Sequence, residues 1–167
     1  MTAGKIIIAL GLVLAAVLIQ TTVFQYVEPF GYAPALGLLM AIATARYLEA
    51  EAALFVGFSG GFLQDLLGAL PLGLWASTFT VVVFITLKIR DREVGGPLVV
   101  LAGVFGLTFI GQFTYAVLGT LFGQGIISRP GVIWDLVVPA LYNVILAYPA
   151  FWIAKAAIRP QARTWVA

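Results

Sequence analysis

Long apolar runs, cut only by short charged turns, govern what this 167-residue chain can fold into. Six follow one another, at roughly 6–26, 32–45, 52–70, 72–87, 97–122 and 132–154. Each is continuous, with no strict apolar–polar alternation, so each reads as a helix. About 20 apolar residues cross a bilayer as a helix, and in lipid only helices and closed barrels satisfy their own backbone. Charged residues make up 10% of the chain, where a soluble domain carries about 25%. The expectation is one all-α domain over 1–167, a polytopic bundle of six transmembrane helices. The second run is the shortest, with an apolar core of about fourteen residues and Pro34 near its first turn, where proline is tolerated.

Positive charge sets the expected orientation. With the N-terminus in the cytoplasm, the inner side holds Lys5, Arg46, Lys88, Arg90, Arg92, Lys155, Arg159 and Arg163, and the outer side holds Arg129 alone. Both termini are therefore expected inside. The loop KIRDRE, 88–93, is the most charged segment. It reads either as a solvated cytoplasmic turn or as a docking point for a cytoplasmic partner. The first run follows Lys5 as a signal peptide would, but Gln20, Thr21 and Thr22 after it offer no small-x-small cleavage site. The first helix is expected to be retained.

Cysteine and histidine are absent, which excludes disulfides, thiol chemistry, zinc sites of the usual kind and imidazole acid–base work. No carboxylates cluster, and Ser59, Ser77 and Ser128 have no base nearby in sequence. No enzymatic activity and no cofactor are expected. A net charge of +2 gives no reason to expect nucleic acid as a partner.

One carboxylate stands inside an apolar run: Asp65, beside Gln64. Helical spacing puts Gly57, Gly61, Gln64, Asp65 and Gly68 on one stripe. Gly57 and Gly61 form a small-xxx-small pair, the pattern that lets two membrane helices approach closely. The stripe is therefore expected to face protein. An acid at membrane depth needs partners, and Asn143, Tyr142, Gln112 and Tyr115 are the donors the other helices offer. Three roles stay open for Asp65: glue within the bundle, docking of a partner, or part of an ion or solute path.

After it, Pro71 stops the third helix and Gly68 and Gly73 allow a sharp reversal, so the third and fourth helices should form a close hairpin, with Trp75 at headgroup level. Gly103, Gly106, Gly111, Gly119 and Gly123 suggest close packing along the fifth helix. In the sixth, Asp135 reads as a charge at the helix N-terminus, Asn143 as an interhelical hydrogen-bond former, and Pro139 and Pro149 as kink sites.

The stretches GFSGGFLQDLLGALPLGL, 57–74, and PALYNVILAYPAFW, 139–152, together resemble the MreD family of rod shape-determining membrane proteins. The likeness extends over most of the chain: size, six helices, short loops and an arginine-bearing turn before the third helix. It implies a non-enzymatic scaffold subunit of the bacterial cell-elongation machinery in the cytoplasmic membrane. Its partners would be MreC, which has one membrane helix and a periplasmic domain, and less directly actin-like MreB and a polymerase–transpeptidase pair that builds lateral peptidoglycan. The resemblance also implies a fold similar to that of the substrate-binding components of energy-coupling-factor vitamin transporters. On the scaffold reading, exposed small-residue grooves would receive a partner's helix. The alternative is a small-solute binding or transport protein, marked by an outward cavity that Trp75, Gln64, Asp65, Trp134 and Asp135 would line.

Overall fold

The computed structural model describes residues 3–24, 26, 31–68, 71–90 and 96–158. Arg92, Arg159 and Arg163, and the predicted helix end at 69–70, lie outside them. Among the described residues the chain is all-helical. The helices are α1 (Ala3–Thr22), α2 (Leu36–Ala45), α3 (Ala50–Leu67), α4 (Leu74–Arg90), α5 (Pro97–Leu121) and α6 (Val132–Ala157), with a 3-10 turn, Ile126–Ser128, ahead of α6.

Three helices, α1, α5 and α6, are long and apolar enough to cross a membrane. Hydroxyls within the bundle turn back onto their own helices: Thr44 Oγ1 donates to the Met40 carbonyl at 2.9 Å and Thr86 Oγ1 to the Val82 carbonyl at 2.8 Å. Each bond gives a buried hydroxyl an acceptor within its own helix. α6 runs unbroken through Pro139 and Pro149.

The centre of the fold is α2. It has ten residues, and all but Leu36 are buried. At 1.5 Å per residue it is about 15 Å long, half the hydrocarbon thickness of a bilayer. It packs against each of the other five α-helices. A helix that is apolar all round belongs inside, and α2 obeys that rule. The predicted start at 32 is not observed. Residues 32–35 are irregular, because Pro34 disfavours helical backbone in the residue before it and Ala35 sits at φ −87, ψ 66.

Buried contacts fix the direction of each helix. Gln20, near the end of α1, meets Gly37 at the start of α2. Arg90, at the end of α4, meets Ala45 and Leu48 at the end of α2. The Arg46 guanidinium lies 5.4 Å from the ring centre of Phe151, toward the end of α6. One end of the bundle therefore collects Lys5, Arg46, Lys88, Arg90 and Lys155, and α1 begins and α6 ends there. Arg129 lies at the other end, beside the start of α6.

Candidate functional site

At the α3–α4 turn, Asp65 is buried and its carboxylate is fully engaged. Oδ1 accepts the Trp75 N–H at 2.9 Å; Oδ2 accepts the N–H groups of Gly73 at 2.9 Å and Ala76 at 3.0 Å. The first N–H groups of a helix have no partner inside it and carry the positive end of its dipole. Asp65 supplies the missing acceptor from the preceding helix. Gly73 takes φ +103, a backbone that side-chain-bearing residues rarely adopt, and this turns its N–H toward the carboxylate. Pro71 is exposed ahead of that turn.

Glycines let the two helices come this close. A Cβ on Gly61 would strike the Trp75 carbonyl and lie 2.7 Å from Ala76 Cα, and one on Gly57 would lie 2.8 Å from Val83 Cγ2. Gly60 faces the other way, where a Cβ would strike Val13 of α1. The seam expected to admit a foreign helix is thus filled from within the chain: α4 occupies Gly57 and Gly61, and α1 occupies Gly60. Gly119 is likewise covered by Ile126.

Two glycines expected to pack helices do not. Gly68 is exposed, caps α3 at φ −90, and a Cβ there would meet only the Gln64 and Asp65 carbonyls of its own helix. Gly123 lies past the end of α5 at φ +83, where a Cβ would meet nothing within 4 Å. Its role is to end the helix, because the left-handed backbone favours glycine. Gly106 also faces open space.

A second polar junction surrounds the start of α2. Gln20 Oε1 accepts the Gly37 N–H at 3.0 Å. Asn143 Nδ2 donates to the Ala35 carbonyl at 3.0 Å and to Thr108 Oγ1 at 3.1 Å. Asn143 and Thr108 are both fully buried, near the middles of α6 and α5. The chain thus enters α2 at mid-height of the bundle, and irregular backbone at such depth stands only when protein groups satisfy it. Gln64 completes the ring; its Oε1 lies 3.4 Å from where a Gly37 Cβ would sit. The buried oxygens Gln64 Oε1, Thr78 Oγ1 and Asn143 Oδ1 have no hydrogen-bond partner among the described residues. At the far end of α2, Arg90 Nη1 donates to the carbonyls of Ala45 at 3.0 Å and Leu48 at 2.6 Å. Arg90 therefore closes a helix terminus, while Lys88 lies 5.4 Å from the Phe84 ring centre.

The partners expected for Asp65 are corrected by this geometry. Asn143 serves Ala35 and Thr108. Tyr115 stacks on Trp75, ring centres 4.1 Å apart and 18° between planes. Backbone N–H groups satisfy Asp65 instead, because the reversal brings the start of α4 within reach before any other helix. The sequence reading missed Gln20, Gly37, Gly60 and Thr108. For Gly60 the signal was present, since Gly60 and Gly61 adjoin and point to different faces. Gln20 stood out only as a polar end to an apolar run.

Gln112 and Tyr115 line a cavity of about 250 Å³ together with Arg129 and Asp135, between α5, the 3-10 turn and α6. Of the five residues expected at an outward cavity, Asp135 alone lines it. It stands in the first turn of α6, where a negative charge suits the dipole. Among the described residues no three side chains gather that could hold a metal ion. Comparison with protein-family models, curated proteins and solved structures finds no match for the chain.

Proposed function

We propose that the chain is a non-enzymatic scaffold subunit of the bacterial cell-elongation complex, of the MreD type, seated in the cytoplasmic membrane with both termini in the cytoplasm. All six helices lie in the bilayer on this reading, with residues 31–35 entering the bundle ahead of the short α2. The basic end faces the cytoplasm on this reading, which the clustering of Lys and Arg there supports. An MreC-type protein with one membrane helix is the direct partner. The actin-like protein and the polymerase–transpeptidase pair act through it.

The observation that carries this reading is the engagement of Asp65. It is the acid most able to serve an ion path, and both its oxygens are bound to backbone N–H groups. Within the run that carries the family likeness, 57–74, Asp65 fixes how α3 meets the start of α4. Since α4 and α1 fill the glycine seam, the partner's helix meets an outer face, and the chain acts by recruiting and positioning the assembly. Co-purification tests this. The solubilised protein should bring down a single-span partner with a periplasmic domain, and Asp65→Asn protein that stays folded should retain it. A purified protein that turns over a substrate, or binds no such partner in cells that elongate, overturns the reading.

The polar cavity at the other end favours a second reading, a small-solute binding protein of the vitamin-carrier type. Arg129 and Asp135 offer opposite charges beside Gln112 and the Tyr115 hydroxyl. Mass spectrometry of the purified protein decides here: a bound small molecule with no protein partner supports the carrier.

A further inference from the structure

The basic end of the bundle carries a groove that the scaffold reading leaves unused. It has a volume of about 440 Å³ and lies between the start of α5 and the last turns of α6, with Tyr47 at its edge. Its floor is Ala147, buried; its walls include Phe151, Tyr148 and Trp152; and Lys155 lines it too. Tyr148, Trp152 and Lys155 follow each other at four and three residues, so they share one face of α6. Tyr148 is 80% exposed and Trp152 64% exposed.

We propose that this groove binds an anionic phospholipid, with an acyl chain against Ala147 and Phe151 and the phosphate at Lys155. Charge decides the headgroup. Lys155 lines the groove, Arg46 stands 5.4 Å from the ring centre of Phe151 on its wall, and no carboxylate among the described residues lines it. Glu49 and Glu51, at the start of α3, are exposed and are not among the residues that line it. Basic pockets between membrane helices on the cytoplasmic side recognise anionic headgroups, and exposed Tyr and Trp sit at that level. A slender hydrocarbon chain follows such a groove along its length. The proposal needs the bundle in a bilayer but does not depend on the cell-elongation reading.

The test uses the full chain, purified in mild detergent and titrated with phosphatidylglycerol or phosphatidylcholine, with retained lipids counted by native mass spectrometry. One phosphatidylglycerol should be retained in preference to phosphatidylcholine, and it should raise the thermal unfolding midpoint, as a ligand of the folded state does. Lys155→Gln should lower that preference about fivefold, the factor for one basic residue at an anionic surface. Ala147→Phe fills the floor and should abolish retention of either lipid. Lys155 is exposed, so its variant folds even if Ala147→Phe does not. Equal retention of the two lipids, or an unchanged preference in Lys155→Gln, overturns the proposal. So does photo-crosslinking from position 152 in membranes that captures a protein helix in place of lipid.

Discussion

The carboxylate of Asp65 accepts the backbone N–H of Trp75 at 2.9 Å, joining the end of α3 to the start of α4. Two more N–H groups reach the same side chain. A single acid thus does the work of an N-cap from ten residues upstream of Trp75, and the hairpin it closes holds the glycine seam shut.

Removing that acceptor should loosen the hairpin. Hydrogen bonds to charged groups contribute about 1.5–3 kcal/mol and helix caps about 0.5–2. Asp65→Ala should therefore cost about 2–4 kcal/mol in detergent unfolding experiments. Asp65→Asn keeps one acceptor oxygen and should cost about half as much. A variant as stable as the parent would show that the cap contributes nothing.

The glycines should divide by what stands opposite them. Gly61→Ala drives a methyl group into the backbone of Trp75 and Ala76, which cannot move aside, and overpacking of this kind costs about 1–3 kcal/mol. Gly106→Ala meets open space and gains helix propensity, so it should be neutral or stabilising by up to about 1 kcal/mol. Unfolding midpoints of the two variants in the same detergent check the contrast; equal shifts would remove the seam as its cause.

Asn143 and Thr108 should be coupled. Asn143→Leu leaves the Ala35 carbonyl buried without its donor and should cost about 1–3 kcal/mol. Thr108→Val removes only the second contact. Because the residues share a hydrogen bond, the double variant should deviate from additivity by about 0.5 kcal/mol or more. A strictly additive cycle would mean that the Asn143–Thr108 bond contributes nothing to stability.

Topology is directly accessible because the chain has no cysteine of its own. Single cysteines at Gly4 and Ala156 should react with an impermeant thiol reagent from one side of the membrane, and a cysteine at Pro130 from the other. Labelling of 4 and 156 from opposite sides would break the proposed arrangement.

Much of the bundle was legible without coordinates. A helix long enough to cross a bilayer records its length and apolarity in consecutive residues, so α5 was bounded to within one residue of its observed end and α6 to within three of its own. The stripe of Gly57, Gly61, Gln64 and Asp65 was readable from helical periodicity, and so was the tight reversal at Pro71 and Gly73. The charge pattern likewise gathered Arg46, Lys88, Arg90 and Lys155 on one end.

Partners across the fold were not legible, and the reason is distance along the chain. Asn143 reaches a carbonyl 108 residues away, and Arg90 reaches one 45 away. No local pattern encodes which acceptor a donor will meet once six helices pack. The shortness of α2 belongs to the same class. Its sequence announced an apolar helix, but its start at mid-height depends on Gln20 and Asn143 satisfying backbone that lipid would leave bare. Sequence alone determined that this chain must bury its backbone polarity in helices. Tertiary structure decided that Asp65 spends its charge on a helix end, because there three N–H groups converge on its carboxylate.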